Sequence, residues 1–199
     1  KSKTENKMNA KSSEKEIEIQ KNKGTMYIGI DPDNQESGVG IVYKDTRQVQ
    51  AYKMDFPRLI SFLRLANEST ERIDVIIEGG WLNKSNWHVL GRFMSTRKAA
   101  AIGRSAGMNH QTGILIQQMC ESIGIHPTVV KPLKKCWKGK DGKITQDEAK
   151  YFMGNDIPRM NQDQRDALLL AWVYAGLPVK VAPKKPTTTL QKTIGAFDG

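Results

Sequence analysis

Cysteine and histidine are scarce in this chain. Two cysteines, Cys120 and Cys136, and three histidines, His88, His110 and His126, are scattered through 199 residues, and no Cys-x-x-Cys spacing occurs. That pattern argues against a zinc site and against a disulfide framework, and it fits a reducing compartment. Long uncharged apolar runs are missing too, and no basic amphipathic stretch stands apart from the candidate core, so no membrane partner is expected. No stretch near the N-terminus has the pattern of a secretory signal.

Basic residues, by contrast, are abundant. Lys and Arg number 31 against 21 Asp and Glu, which gives a formal charge of +10 and a pI near 9.6. The default partner of such a surface is a polyanion, and nucleic acid leads that class. The length suits one well-packed domain and is short for two large ones. Residues 1–24 are rich in Lys, Glu, Ser and Asn and too poor in apolar residues to offset their ordering entropy, so they read as a flexible basic tail. Residues 179–199, with Pro183-Lys184-Lys185-Pro186, read the same way, which leaves 25–178 as the folded domain.

Within that domain the apolar pattern predicts three strands over residues 25–31, 37–43 and 47–54, joined by connections short enough to force antiparallel pairing. Leu59, Ile60, Phe62, Leu63 and Leu65 at helical spacing predict a crossover helix over 56–68. The β-branched run from Ile73 to Ile77 predicts a buried parallel strand that ends in Glu78. An irregular aromatic and polar segment follows, in which Lys84 and Trp87, with Trp81, are candidates to contact phosphates or unpaired bases, or else to cap the core. A long helix is expected from about Thr96 to Gly124, with a break near Asn109. Its Gly103-Arg104-Ser105-Ala106-Gly107 step leaves one face bare for close approach of a second copy or of the sheet. A fifth strand is expected over 126–130. The block 131–143 carries Lys131, Lys134, Lys135, Lys138, Lys140 and Lys143 around Trp137 on a turn-rich segment, and is the candidate phosphate-backbone grip. A short helix over 144–152 and a last helix opening at Asn161 and ended by Gly176 complete the domain.

The chemistry is carried by carboxylates. The first strand ends in Asp31 and the fourth in Glu78, while the last helix opens with Asp163 and Asp166, three apart and so on one face. Asp-Pro-Asp-Asn is also an ordinary turn, and acids in a first helical turn complement the helix dipole for under about 1 kcal/mol each. If the two acid-bearing strands are parallel neighbours, however, four carboxylates meet at one sheet edge. They would repel and shift one another's pKa unless cations neutralised them. Oxygen-only ligation suits Mg²⁺, with Mn²⁺ able to substitute, and two ions about 4 Å apart would support phosphodiester hydrolysis.

The element order and the runs Gly29-Ile30-Asp31-Pro32, Ser37-Gly38-Val39-Gly40, Glu78 and Asp163-x-x-Asp166-Ala167-Leu168 resemble the RuvC family of Holliday junction resolvases, within the ribonuclease H-like superfamily, over residues 26–177. The resemblance implies an α/β fold with a mixed five-stranded sheet, three antiparallel strands then two parallel, flanked by helices. It implies a crossover junction endodeoxyribonuclease that uses Mg²⁺, has Asp31, Glu78, Asp163 and Asp166 as metal ligands and Lys143 as a further catalytic group, and needs no organic cofactor. It also implies a homodimer on four-way DNA, with the helix from Thr96 at the interface and functional lysines near Lys134 and Lys143. The turn Pro32-Asp33-Asn34-Gln35 stands where the bacterial housekeeping enzyme has a Gly, and Gly79-Gly80-Trp81 departs from its continuation after the Glu. A phage or organellar relative is therefore expected, located in the cytoplasm with the nucleoid or in an organellar matrix.

Other readings share parts of this pattern. An actin-like or sugar-kinase ATPase uses a similar first hairpin but needs two such domains. A DEDD-type exonuclease expects Asp-x-Glu on the first strand, and here the run is Asp31-Pro32-Asp33. Cleavage of an RNA–DNA hybrid or of other branched DNA would use the same acids, and a junction-binding protein that does not cut would keep only the basic surface.

Overall fold

A computed structural model describes residues 24–83 and 95–180. Its elements run β1 (Thr25–Asp31), β2 (Ser37–Tyr43), β3 (Gln48–Met54), α1 (Phe56–Ser69), β4 (Arg72–Glu78), α2 (Thr96–Ser122), β5 (Thr128–Val130), α3 (Gln146–Met153) and α4 (Gln162–Tyr174). The strands form one sheet in the order β3-β2-β1-β4-β5. β1, β2 and β3 pair antiparallel, while β4 runs parallel to β1 and β5 parallel to β4. This is the mixed five-stranded sheet, three antiparallel strands then two parallel, that the resemblance implied, with the acid-bearing strands as neighbours.

Side-chain alternation along the strands divides the interior into two layers. Met26, Ile28, Ile30, Val39, Ile41, Val75 and Ile77 point to one face, where Leu59, Phe62 and Leu63 of α1 and Ile116 and Cys120 of α2 cover them. Val42 faces the other way, toward Leu168, Leu169, Ala171 and Trp172 of α4 and Ala149 and Met153 of α3. Gly29 and Gly40 are cross-strand partners on this second face. A β-carbon on Gly29 would lie 2.2 Å from the Ala167 carbonyl oxygen, one on Gly38 2.3 Å from that of Asp163, and one on Gly40 2.3 Å from Leu168 Cα. Three glycines thus form the bed on which the α4 backbone rests.

The helix ends follow local chemistry. Asp55 accepts from the Arg58 N–H at the start of α1, with Pro57 in the first turn, and Thr145 with Glu148 and Asn161 with Gln164 form reciprocal capping boxes at α3 and α4. The chain leaves α4 through Gly176 at φ +70°. The expected break of the long helix near Asn109 does not occur: α2 is continuous through it, because Asn109 directs its side chain outward to the β1–β2 turn and leaves the backbone ladder intact. Capping by Thr145 starts α3 two residues later than the apolar pattern suggests. Of the expected tails over 1–24 and 179–199, all but Gly24, Val179 and Lys180 lies outside the described residues.

Candidate active site

Two acids reach the same edge of the sheet by register and parity. Ile30 pairs with Ile77 in the parallel β1–β4 ladder, so the next residues, Asp31 and Glu78, stand side by side at the carboxyl ends of their strands. Since Ile30 and Ile77 point to the α1 layer, Asp31 and Glu78 point to the α4 layer. The ends of parallel strands are where open α/β sheets bind ligands.

The third acid comes from α4. With its backbone against Gly29, Gly38 and Gly40, the first turns of this helix lie over the ends of β1 and β2. Asp166 Oδ2 accepts a hydrogen bond from Lys143 Nζ at 2.8 Å, and its Oδ1 accepts one from Gln162 Nε2 at 2.7 Å. Arg165 lies beneath: its Nε donates to the Ile144 carbonyl at 3.0 Å, and its Nη2 donates to Gln162 Oε1 at 2.8 Å. These bonds hold the backbone next to Lys143 against the helix that carries Asp166.

A cavity of about 210 Å³ opens between these groups, lined by Asp31, Glu78, Asp166, Lys134, Lys135 and Lys143. Burial raises the Asp31 pKa well above its ordinary value, and the charges of Glu78, Asp166 and, more weakly, Asp163 add to that effect against the pull of Lys143. Glu78 is raised as well, first by burial and then by Asp166, with Lys143 and Lys135 opposing. Burial works against the Lys143 ammonium, but its hydrogen bond to Asp166 and the charges of Asp166, Asp31 and Asp163 outweigh this and raise its pKa. Lys143 is therefore a fixed positive charge at neutral pH, not a base.

Asp163 is set apart from the other three acids. It lies outside the cavity and pairs with Lys53 of β3 at 3.4 Å, and Lys53 also approaches Glu36 at 3.9 Å. Of the lysine block, Lys134, Lys135 and Lys143 line the cavity, whereas Lys131, Lys138 and Lys140 are exposed beyond it. Lys84 and Trp87 lie outside the described residues, as does His88. Trp81 is part of the core boundary: its ring packs over Gly113 and meets His110 edge to face at 6.4 Å.

A second groove, of about 580 Å³, adjoins the acids on the α2 side and is lined by Asp31, Glu78, Trp81, Lys98, Asn109 and His110 among others. Asn109 ties this side to the turn after Asp31. Its Oδ1 accepts from the Asn34 N–H at 3.1 Å and its Nδ2 donates to Asp33 at 3.2 Å. Asn109, Gln162, Arg165 and Glu148 are missing from the sequence-derived candidates; Thr145-x-x-Glu148, a Ser/Thr-x-x-Glu capping pattern, is the one of these signals readable beforehand. The cysteines take no part: Cys120 is buried in α2, where burial, with Glu121 adding, pushes its thiol up to about 12.

Carboxylate oxygens without sulfur or imidazole suit a hard divalent cation, and the upward shifts of Asp31 and Glu78 are those a cation would relieve. The donor chemistry fits. As the side chains lie, however, no group of three or more His, Cys, Asp or Glu among the described residues is drawn close enough to hold one ion, and the Lys143 ammonium supplies the countercharge.

No family model matches the chain, and no curated protein matches it. Among solved structures the chain is similar to T. thermophilus RuvC in complex with Holliday junction substrate, at 15% identity and a TM-score of 0.44, over 75% of this chain and 92% of that one.

Proposed function

We propose that this chain is a metal-dependent endonuclease that resolves four-way DNA junctions as a homodimer, each copy nicking one of two symmetric strands. The observation that carries the reading is the meeting of Asp31, Glu78, Asp166 and Lys143 in one cavity at the carboxyl edge of the sheet, with Lys134 and Lys135 on the same wall. Asp31, Glu78 and Asp166, joined by Asp163 once Lys53 releases it, would hold two Mg²⁺ ions, with Mn²⁺ as the substitute. When bound, such ions supply charge neutralisation on the scissile phosphate and a water of lowered pKa.

The chain's own residues do the rest. Lys134 and Lys135 grip the phosphate backbone at the cavity wall. Lys143, held at Asp166 and kept charged by its acid neighbours, offers its ammonium to the negative charge that develops on the phosphate. Asp31 and Glu78, enclosed at the strand ends with their pKa values raised by burial and by neighbouring acids, carry negative charge at a cost that a bound cation would relieve. Attack by water leaves a 5′-phosphate and a 3′-hydroxyl. The net charge of +10 suits the polyanionic substrate, and among the described residues α2 offers an open face at Gly103 and Gly107 with Met108 exposed nearby, which suits a second copy.

A second reading has its own observation. Asp166 and Asp163 are each paired with a lysine, and among the described residues no acid triplet is close enough for one ion, an arrangement that also suits a junction-binding protein that does not cut. One assay separates the two: a labelled four-way junction, a linear duplex and an RNA–DNA hybrid, each with Mg²⁺ or chelator, treated with wild type and Asp31→Asn. Symmetric nicking of the junction alone, abolished by chelator and by the substitution, is the expected result. Tight junction binding without nicks would favour the second reading, and cutting of the hybrid would move the substrate class.

A further inference from the structure

Glu148 is buried to 4% of its surface, at the third position of α3, and plays no part in the chemistry above. A buried carboxylate is costly unless its lone pairs are met, and here they are met almost wholly by the two flanks of one loop. Oε2 accepts from the Thr145 N–H at 3.1 Å and from the Thr145 hydroxyl at 2.8 Å. Oε1 accepts from the Lys138 N–H at 3.0 Å, and Oε2 lies 3.2 Å from the same donor. A capping box needs only the Thr145 half of this set. The Lys138 bond reaches ten residues back, to the other end of the segment that carries Lys143.

Between those two anchors the segment is closed on itself. The Trp137 N–H donates to the Gly142 carbonyl and the Gly139 N–H to the Lys143 carbonyl, both at 3.0 Å, while the Lys143 N–H donates to the Lys140 carbonyl at 3.1 Å. Trp137 stacks on Phe152 of α3 at 5.8 Å, and Phe152 in turn meets Trp172 of α4 edge to face. We propose that Glu148 is a positioning residue for Lys143: by clamping Lys138 to Thr145 it fixes the loop from which the Lys143 ammonium reaches Asp166. The inference rests on the reading of Lys143 above only for its catalytic consequence. The clamp itself is a claim about where the ammonium is held.

Glu148→Gln separates this role from helix capping. The Gln oxygen can keep the capping box, as Gln164 does at α4. Its amide NH₂ then takes the Oε1 place against the Lys138 N–H, donor against donor, which leaves only the 3.2 Å contact to the remaining oxygen and loosens the clamp. The deciding measurement is the coupling between Lys143 and Asp166, taken from urea unfolding of Lys143→Met, Asp166→Asn and the double variant, once in wild type and once with Glu148→Gln. Loss of at least half the coupling is expected. Retention of the coupling, even with a lower overall stability, would overturn the proposal, because a purely structural glutamate weakens the fold without touching that pair. Where Glu148→Gln fails to fold, Glu148→Asp carries the same reading, since it keeps the charge but is one methylene too short to span both flanks.

Single-turnover nicking of a four-way junction supplies the catalytic arm. Glu148→Gln should slow wild type about 10-fold with junction affinity within about 2-fold, and should add nothing in a Lys143→Ala background. An independent further loss in that background would count against the proposal. If wild type cuts nothing, the nuclease reading fails alone, and the unfolding cycle still decides whether Glu148 holds Lys143.

Discussion

Helix α4 lies with its backbone against Gly29, Gly38 and Gly40, whereas the N-terminal half of α2 carries Gly103 and Gly107 with no atom of the described residues within 4 Å of where a side chain would begin. Both helices flank the acid edge. On the α4 side the missing side chains are filled by helix backbone, which brings Asp166 to Asp31 and Glu78 and leaves little room for either partner to shift. On the α2 side the helix stands off, a groove remains, and Asn109, with Met108 Sδ accepting from Asn34 Nδ2 at 3.9 Å, provides the side-chain hydrogen bonds to the turn after Asp31. One flank is built to hold chemistry in place and the other to receive something.

The largest expected effect tests that division directly. Asp166→Asn removes the acid that α4 delivers and should slow junction nicking about 10²–10³-fold, or about 3–4 kcal/mol of transition-state stabilisation. Lys98→Ala, on the groove side, should cost less than about 10-fold and should act through junction affinity, because Lys98 lines the groove but not the cavity. Rates from single-turnover gels and affinities from titration separate the two. Equal losses in rate would mean that both flanks hold the reacting groups, and the comparison would break.

Next in size is the glycine bed. A methyl on Gly40 would begin 2.3 Å from Leu168 Cα, a backbone atom that cannot rotate away. Gly40→Ala should therefore cost about 3 kcal/mol, read as a lowered urea midpoint. A loss under about 1 kcal/mol would show that α4 lifts easily and that its seating is not what places Asp166.

These contrasts also explain what the chain disclosed before it was folded. Alternation and β-branched runs marked β1 and β4, and with them Asp31 and Glu78, because strand parity is a local property. The division between Asp163 and Asp166, which the spacing placed on one face, was not legible. Three residues apart on a helix they differ by about 60° in direction, and what they meet, Lys53 of β3 for one and Lys143 for the other, depends on how α4 is seated. Glycine shows where a side chain is missing but not what fills the gap. The Gly103–Gly107 step suggested close packing and is open among the described residues, while Gly38 and Gly40, read as part of a strand hairpin and of the resemblance, have the α4 backbone 2.3 Å from where a side chain would begin. Glu148 was hidden for a similar reason, since its second partner, Lys138, is ten residues away across a loop.

A smaller effect follows from the charge of the site. The Asp31 carboxyl has its pKa raised in the folded state, so the fold binds its proton more tightly than the unfolded chain does. Its favourable contribution is then present below the ordinary carboxylate range near 4 and is lost as pH rises through the raised folded value. In chelator at neutral pH, Asp31→Asn should raise stability by about 1 kcal/mol, and the advantage should shrink as the pH is lowered toward 4. Thermal unfolding at several pH values checks this. A constant difference across the series would show that the gain does not come from the charge.

The smallest effect turns on the open flank. In an isolated helix face exposed to water, Gly107→Ala removes backbone freedom from the unfolded chain and should stabilise by about 0.5–1 kcal/mol. If a second copy presses its backbone onto that face, the same methyl obstructs the approach, and the gain in monomer stability comes with weaker self-association. Urea unfolding at low concentration and sedimentation across a concentration series read the two terms separately. A higher midpoint together with a dimer dissociation constant raised about 10-fold is the outcome expected of an α2 interface. A higher midpoint with self-association unchanged would place the contact elsewhere and leave the groove as the only function of that flank.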